Sequence, residues 1–249
     1  MEKIYSFPEA MRKPVSGYCP GCMHSTIHKI CAQVIDELGI REKTVIVMPV
    51  GCAGLGMYYW NFDMVSAAHG RAPAVATGLK RSTPESVVFT YQGDGDLASI
   101  GMAETIHAAN RGENITVVFV NNSIYGMTGG QMAPTTLVGM KATTAPRGRD
   151  PKTMGYPINV AEMIAGLTAP VFVGRFAVDT AAHVNQAKAA IKKGIQNQID
   201  GKGYSFIEIL SNCPTNWGMS PLKTMDFIHE QTMKQFPLGV FKDIDKEAK

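Results

Sequence analysis

The sequence predicts an α/β protein, a doubly wound and mostly parallel sheet covered by helices on both faces. Three observations carry the prediction. Runs of β-branched and aromatic residues recur at 44–50, 87–91, 115–120, 171–176 and 204–210, apolar on both faces as strands between two helix layers must be. Segments with a helical apolar period lie between them, at 25–38, 72–80, 97–110 and 180–200. The breaks fall on glycine and proline. A chain of 249 residues is long enough to bury one sizeable core, so residues 1–249 are expected to form a single domain with an N-terminal arm and a C-terminal helical tail.

Residues 1–18 read as an extended arm, because Pro8, Pro14 and Gly17 interrupt any helix. Cys19-Pro20-Gly21-Cys22 forms a tight loop. Ser25 is the expected N-cap of a helix to Leu38 whose apolar face holds Ile27, Ile30, Cys31, Val34, Ile35 and Leu38; Gly39 ends it. The strand at 44–50 is limited by Pro49, and a glycine-rich loop at 51–56 holds Gly51 and Cys52. Tyr58, Tyr59, Trp60 and Phe62 form an aromatic cluster. His69-Gly70-Arg71 precedes a helix of small residues at 72–80. The strand at 87–91 runs into Gly93-Asp94-Gly95-Asp96. The next helix, at 97–110, shows Ile100, Ala103, Ile106 and His107 at helical spacing. The strand at 115–120 ends on Asn121-Asn122. Residues 122–158 show weak periodicity, and a loop this long is usually functional or covers a partner. A short helix at 161–167 comes next, then the strand at 171–176. Lys188, Lys192 and Lys193 mark the solvated face of the helix at 180–200. After the last strand, the loop at 211–221 holds Cys213.

Composition narrows the function. The net charge of +3 is small and dispersed, which argues against nucleic acid. There is no run of 18 apolar residues, so no membrane span is expected. The N-terminus lacks an apolar signal-peptide core, and a cytoplasmic location is expected. Fifteen methionines point to surfaces buried against other subunits or to core filler. Five cysteines without a secretory signal point to free thiols, metal ligands or redox chemistry.

Two groups of residues carry the chemistry. A short βαβ unit puts Asp94 and Asn122 at the same edge of a parallel sheet. A carboxylate and an amide carbonyl are hard oxygen donors that suit Mg²⁺ beside a diphosphate. A plain Asp-Gly turn with Asp94 as N-cap would explain the first half of the pattern alone. The second group is Cys19, Cys22, Cys52 and Cys213, all in loops beside Gly or Pro, with Cys31 left to the core. Four such thiols can hold a [4Fe–4S] cluster or a structural zinc, and a CxxC can also be a redox pair; the spacing alone leaves these open.

GDGD at 93–96 followed by NN at 121–122 resembles the thiamine-diphosphate motif. The continuation NNSIYGMTGGQ at 121–131 is similar to the β subunit, the diphosphate-binding chain, of the 2-oxoacid:ferredoxin oxidoreductases. The resemblance runs from Cys19 to Cys213. It implies the thiamine-diphosphate-binding fold and an oxidoreductase of the EC 1.2.7 type from anaerobic metabolism. Its reaction would be the CoA-dependent oxidative decarboxylation of a 2-oxo acid to acyl-CoA and CO₂. It further implies Mg²⁺ on Asp94, Asn122 and the Ile124 carbonyl, and a diphosphate held by Gly93, Gly95, Asp96, Tyr125, Gly126, Met127 and Thr128 with Gly51 and Cys52 nearby. The four loop cysteines would hold a [4Fe–4S] cluster; relatives that follow CPGC with Gly-His differ from Met23-His24 here. His69 and Arg71 match the family's HGR segment, which implies a place near the thiazolium or the substrate carboxylate. His24, His107, His183 and His229 read as structural or exposed. No glutamate can be assigned to activate the aminopyrimidine. The resemblance therefore implies an α-type subunit that completes the site, with γ-type and ferredoxin-like δ-type subunits and ferredoxin as acceptor. Leu55 stands where some relatives carry Lys, and with Tyr58, Tyr59 and Trp60 it favours an apolar acid such as 2-oxoisovalerate over 2-oxoglutarate. A 2-oxoglutarate- or pyruvate-specific member, a non-redox thiamine-dependent decarboxylase subunit and a zinc-stapled scaffold are the competing readings.

Overall fold

The computed structural model describes residues 6–13 and 15–247. The start of the expected arm (1–5), Pro14 and the last two residues of the expected tail lie outside the described residues. Seven strands form the main sheet: β1 (Thr44–Met48), β2 (Asp63–Ser66), β3 (Val87–Gly93), β4 (Thr116–Asn121), β7 (Phe172–Ala177), β8 (Ser205–Leu210) and β9 (Gly239–Asp243). Their order is β2-β1-β3-β4-β8-β7-β9. Every pair is parallel except β7 with β9, as the alternation of strands and helices predicts. β5 (Ile124–Tyr125) and β6 (Gln131–Met132) form a separate hairpin.

Side chains alternate between the two faces along each strand. Ile46, Phe89, Tyr91, Val118, Val120, Ile207 and Ile209 join one core, beneath α1 (His24–Leu38) and α6 (Ala181–Ile199). Val47, Val88, Val117, Phe119, Val173 and Phe206 join the other, beneath α2 (Ala72–Ser82), α3 (Met102–Asn110) and α5 (Val160–Ala165). Cys31 is in the first core, as expected.

Several local expectations differ from the structure. Helix α1 starts at His24 with Met23 as N-cap, and Ser25 lies inside it, its hydroxyl donating to the Cys22 carbonyl. The helix after the Gly-Asp-Gly turn is not continuous. A π-helical turn spans Gly95–Ile100, and α3 begins only at Met102. The wide turn rotates the helix behind it, so α3 buries Thr105, Ala108 and Ala109, while Ile100 is exposed. The tail is not wholly helical. After α7 (Pro214–Trp217), α8 (Pro221–Phe227), a π turn at Ile228–Thr232 and α9 (Met233–Gln235), the chain returns as β9 along β7 and ends in α10 (Ile244–Glu247).

The stretch at 122–158 folds on itself around one side chain. After the β5–β6 hairpin it winds through α4 (Pro151–Met154). The buried Arg149 guanidinium donates to the carbonyls of Ala133, Pro134, Thr136, Met154, Gly155 and Tyr156. A charge at the centre of a carbonyl-rich loop satisfies groups that burial would otherwise orphan.

Candidate functional site

The parallel sheet brings the candidate residues to one edge. The Gly51–Cys52 loop follows β1, Asp94 follows β3, Asn122 follows β4 and Cys213 follows β8. β3 and β4 pair directly, with Gly93 opposite Val120. A cleft opens there, lined by Val50, Gly51, Cys52, His69, Gly93, Asp94, Gly95, Asp96, Asn122, Ile124 and Tyr125 through Thr128, with His24 and Ala53 completing the wall. It lies at the carboxyl ends of the strands, where open α/β sheets bind ligands.

Asp94 and Asn122 meet at one backbone group. The Ile124 N–H donates to Asp94 Oδ2 at 3.1 Å and to Asn122 Oδ1 at 3.2 Å. Asp94 Oδ1 accepts from the Gly95 N–H at 3.0 Å, and Oδ2 accepts from the Thr135 hydroxyl at 2.8 Å. Asp94 is 3% exposed. Burial pushes its pKa up to about 7, against the pull of these hydrogen bonds. A buried carboxylate with no cation partner among the described residues suits a divalent ion. Ser123, between Asn122 and Ile124, is left-handed at φ 60, and this lets the chain double back.

The surrounding loop is shaped for an anion. Cβ atoms added to Gly51 or Gly93 would meet nothing within 4 Å, so both glycines border open cleft. A Cβ on Gly95 would lie 2.3 Å from the Tyr125 ring, so that ring can pack there only against glycine. The backbone N–H groups of Gly126, Met127 and Thr128 have no acceptor among the described residues. A row of free N–H groups beside a helix start suits an anion. The Thr128 hydroxyl does not extend it in this structure, because it is bonded to Gln131.

Asp96 lines the cleft, and its carboxylate is taken up in bracing the site. Its Oδ1 accepts from the Gly70 and Val50 N–H groups and lies 2.6 Å from His69 Nδ1, and its Oδ2 accepts from the Gln92 amide. His69 lines the cleft, with Nδ1 held by Asp96. Arg71 does not join it. That side chain pairs with Glu104 at 2.5 Å and with the Ile100 carbonyl, outside the cleft lining. The aromatic cluster turns away as well: Trp60 is fully buried with its N–H on the His28 carbonyl, and Tyr59 is buried. Leu55 is absent from the lining, so the substrate argument from Leu55, Tyr59 and Trp60 loses its geometry.

The four loop cysteines gather at the same edge. A Cβ on Gly126 would sit 3.2 Å from Cys52 Sγ, 3.6 Å from Cys213 Sγ and 3.9 Å from Asn122 Nδ2. Cys19, Cys52 and Cys213 all bear electrostatically on Cys22. Burial pushes the Cys22 thiol up to about 12 and the Cys52 thiol up to about 11, so ionisation needs a metal to take the charge. No three His, Cys, Asp or Glu side chains among the described residues close on the position of one ion. A single zinc needs its sulfurs about 2.3 Å away, whereas a four-iron cluster takes thiolates spread around its corners.

Residues without a sequence signal hold these loops. Asn212 accepts from the Met23 N–H and donates to the Gly21 carbonyl, tying the Cys19–Cys22 loop to the Cys213 loop. Asn216 donates to Cys213 Sγ and the Gly126 carbonyl, and the Trp217 N–H donates to the Asn122 carbonyl.

Residues 49–209 match the family described as "Thiamine pyrophosphate enzyme, C-terminal TPP binding domain". The chain is 51% identical over 231 residues to the ketoisovalerate oxidoreductase subunit VorA of Methanothermobacter thermautotrophicus, across 93% of this chain and 48% of that protein; it thus spans about half the length of VorA. It is 39% identical over 236 residues to the 2-oxoglutarate synthase subunit KorB of Methanocaldococcus jannaschii, across 92% of this chain and 82% of that one. Among solved structures, a 2-oxoglutarate:ferredoxin oxidoreductase from Magnetococcus marinus, with 2-oxoglutarate, coenzyme A and succinyl-CoA bound, superposes with a TM-score of 0.77. Its identity is 25%, over 96% of this chain and 87% of that one.

Proposed function

The chain belongs to the thiamine pyrophosphate enzymes and, among them, to the β-subunit family of the 2-oxoacid:ferredoxin oxidoreductases, and from that membership we propose that it is the diphosphate-binding subunit of a complex that converts a 2-oxo acid and CoA to acyl-CoA and CO₂ and passes two electrons to ferredoxin. Thiamine diphosphate supplies the carbanion stabilisation that such a decarboxylation requires. Asp94, Asn122 and the Ile124 carbonyl hold Mg²⁺. The N–H groups of Gly126, Met127 and Thr128 hold the diphosphate, with Gly93 and Gly95 leaving it room. Cys19, Cys22, Cys52 and Cys213 hold a [4Fe–4S] cluster that takes electrons singly. His69, braced by Asp96, lines the cleft.

The observation that carries this reading is the position of Gly126, where a Cβ would lie within 4 Å of two of the four sulfurs and of the Asn122 amide. That proximity supports an electron acceptor beside the cofactor. No glutamate among the described residues lines the cleft, which supports an α-type subunit as its other half, with γ-type and ferredoxin-like δ-type subunits completing the electron path. The substrate we favour is a branched-chain 2-oxo acid such as 2-oxoisovalerate, because identity to VorA exceeds identity to KorB.

The test is an anaerobic preparation with its partner subunits. Iron, sulfide and thiamine diphosphate are measured, then CoA-dependent dye reduction is assayed with 2-oxoisovalerate, 2-oxoglutarate and pyruvate. Iron-free protein with CoA-independent decarboxylation would refute the oxidoreductase reading in favour of a non-redox decarboxylase. A preference for 2-oxoglutarate or pyruvate would refute the substrate alone.

A further inference from the structure

One buried pair beside the cysteines has no role in the proposed function. Tyr91 is fully buried, and its hydroxyl lies 2.6 Å from Nδ1 of His24, itself 2% exposed. Among the described residues this hydroxyl has no other partner. A buried O–H needs an acceptor, so its proton lies on the line to Nδ1, and Nδ1 accepts. An imidazole that accepts at Nδ1 is uncharged, because both nitrogens of the charged ring are donors. A neutral imidazole with an accepting Nδ1 carries its proton on Nε2.

That Nε2–H has no acceptor among the described residues. It cannot swing to find one. The ring is stacked on Tyr18, centroids 5.2 Å apart at 15°, and wedged edgewise against Tyr91. His24 lines the same cleft wall as Cys52 and Gly126, and its backbone N–H already serves the Cys22 sulfur. The wall of the cleft that holds Cys52 thus contains an uncharged donor whose ring is held in place, while the diphosphate has its own donors at 126–128.

We propose that His24 donates a hydrogen bond from Nε2 to a sulfur of the iron–sulfur cluster, and that Tyr91 is the positioning residue that fixes the imidazole in the donating tautomer. The proposal rests on the cluster assigned to the four loop cysteines. A hydrogen bond to sulfur stabilises the more negative, reduced cluster, so the pair raises its reduction potential.

The experiment is a redox titration of the anaerobic complex, followed by the reduced cluster's paramagnetic resonance, with iron and thiamine diphosphate affinity measured on the same samples. Iron-replete His24→Leu is expected to lower the reduction equilibrium constant about tenfold, which is about 59 mV for one electron. Tyr91→Phe moves it in the same direction by less. His24→Gln, which restores an N–H at a similar reach, recovers most of the loss. An unchanged potential in iron-replete His24→Leu overturns the proposal and leaves the functional reading intact. An unchanged potential together with weakened Mg²⁺–thiamine diphosphate binding reassigns the donor to the cofactor and overturns it too. Where His24→Leu does not retain iron, Tyr91→Phe decides, and the wild-type potential in that variant overturns the pair. Iron-free wild-type protein overturns both the cluster and this proposal.

Discussion

Replacing Thr135 with Val deletes one hydroxyl and keeps the shape of a fully buried side chain. The lost contact is the 2.8 Å hydrogen bond to Asp94 Oδ2. A hydrogen bond to an ionised group contributes about 1.5–3 kcal/mol, which raises the Asp94 pKa by roughly one to two units at about 1.4 kcal/mol each. The wild-type group titrates near 7 and must be ionised to hold a cation. Affinity for Mg²⁺–thiamine diphosphate therefore falls as pH drops through 7, by about tenfold per unit below it. At about pH 7 half of the wild-type Asp94 is ionised, whereas in the variant the fraction is between about 0.6% and 7%. The apparent Kd then rises roughly sevenfold to eightyfold near pH 7 and about threefold or less near pH 9. Calorimetric titration of the complex across that range reads both numbers, and Thr135→Ser restores the wild-type curve. A Kd ratio that does not vary with pH would refute the argument, because the hydroxyl would then act through packing and not through the carboxylate's charge.

Gly126→Ala puts a methyl group 3.2 Å from Cys52 Sγ and 3.6 Å from Cys213 Sγ. It should lower iron per chain at least severalfold while the circular dichroism melt barely moves. Arg149→Met strands six backbone carbonyls; the expected loss is at least about 3 kcal/mol, with hydrogen-exchange protection lost first across 133–156. The buried His24 titrates at about 4 in the fold against about 6.5 in the unfolded chain. The unfolded state binds the extra proton, so stability declines as pH falls from about 6.5 to about 4, by up to about 1.4 kcal/mol per unit. Denaturant titrations at several pH values should show that slope in wild type and a shallower one in His24→Gln.

The site was legible where local pattern and chain direction coincide. Gly93-Asp94-Gly95 and Asn121-Asn122 end two β-branched runs, and parallel pairing of those runs brings the two ends together. Cys52 and Cys213 also follow strands of the same sheet. Thr135, Asn212, Asn216 and Arg149 could not be found this way. Each acts across a long sequence distance from an aperiodic loop, and a lone Thr, Asn or Arg in a loop is ordinarily a turn residue. The π turn at Gly95–Ile100 was missed because one extra residue per turn leaves a helical pattern nearly intact while rotating its buried face. β2 and β9 were missed because edge strands are half exposed and lose the apolar signature. Arg71 matched its motif but not the cleft, because Glu104 on the next helix holds its guanidinium.

The two asparagines at the end of β4 divide their work, and the core behind them shows why. Arg175, fully buried, pairs with Glu162 and lies 2.9 Å from Glu208, which is buried just as completely. Glu208 Oε1 accepts from Asn121 Nδ2 at 2.8 Å, and Asn121 Oδ1 accepts from the Ser123 N–H at 3.1 Å. This chain of contacts crosses from β7 through β8 to the left-handed residue of the metal turn. An apolar pair of the same volume would serve stability as well or better, so stability alone does not account for two fully buried ions on adjacent strands. What they add is direction. A left-handed serine costs about 1–2 kcal/mol, and Asn121, held by Glu208, is placed to offset it. Asn122 is left to face Asp94 and the cleft. The ions in the core therefore belong to the site as much as the residues that line it, and the geometry at Ile124 depends on strands two positions away in the sheet.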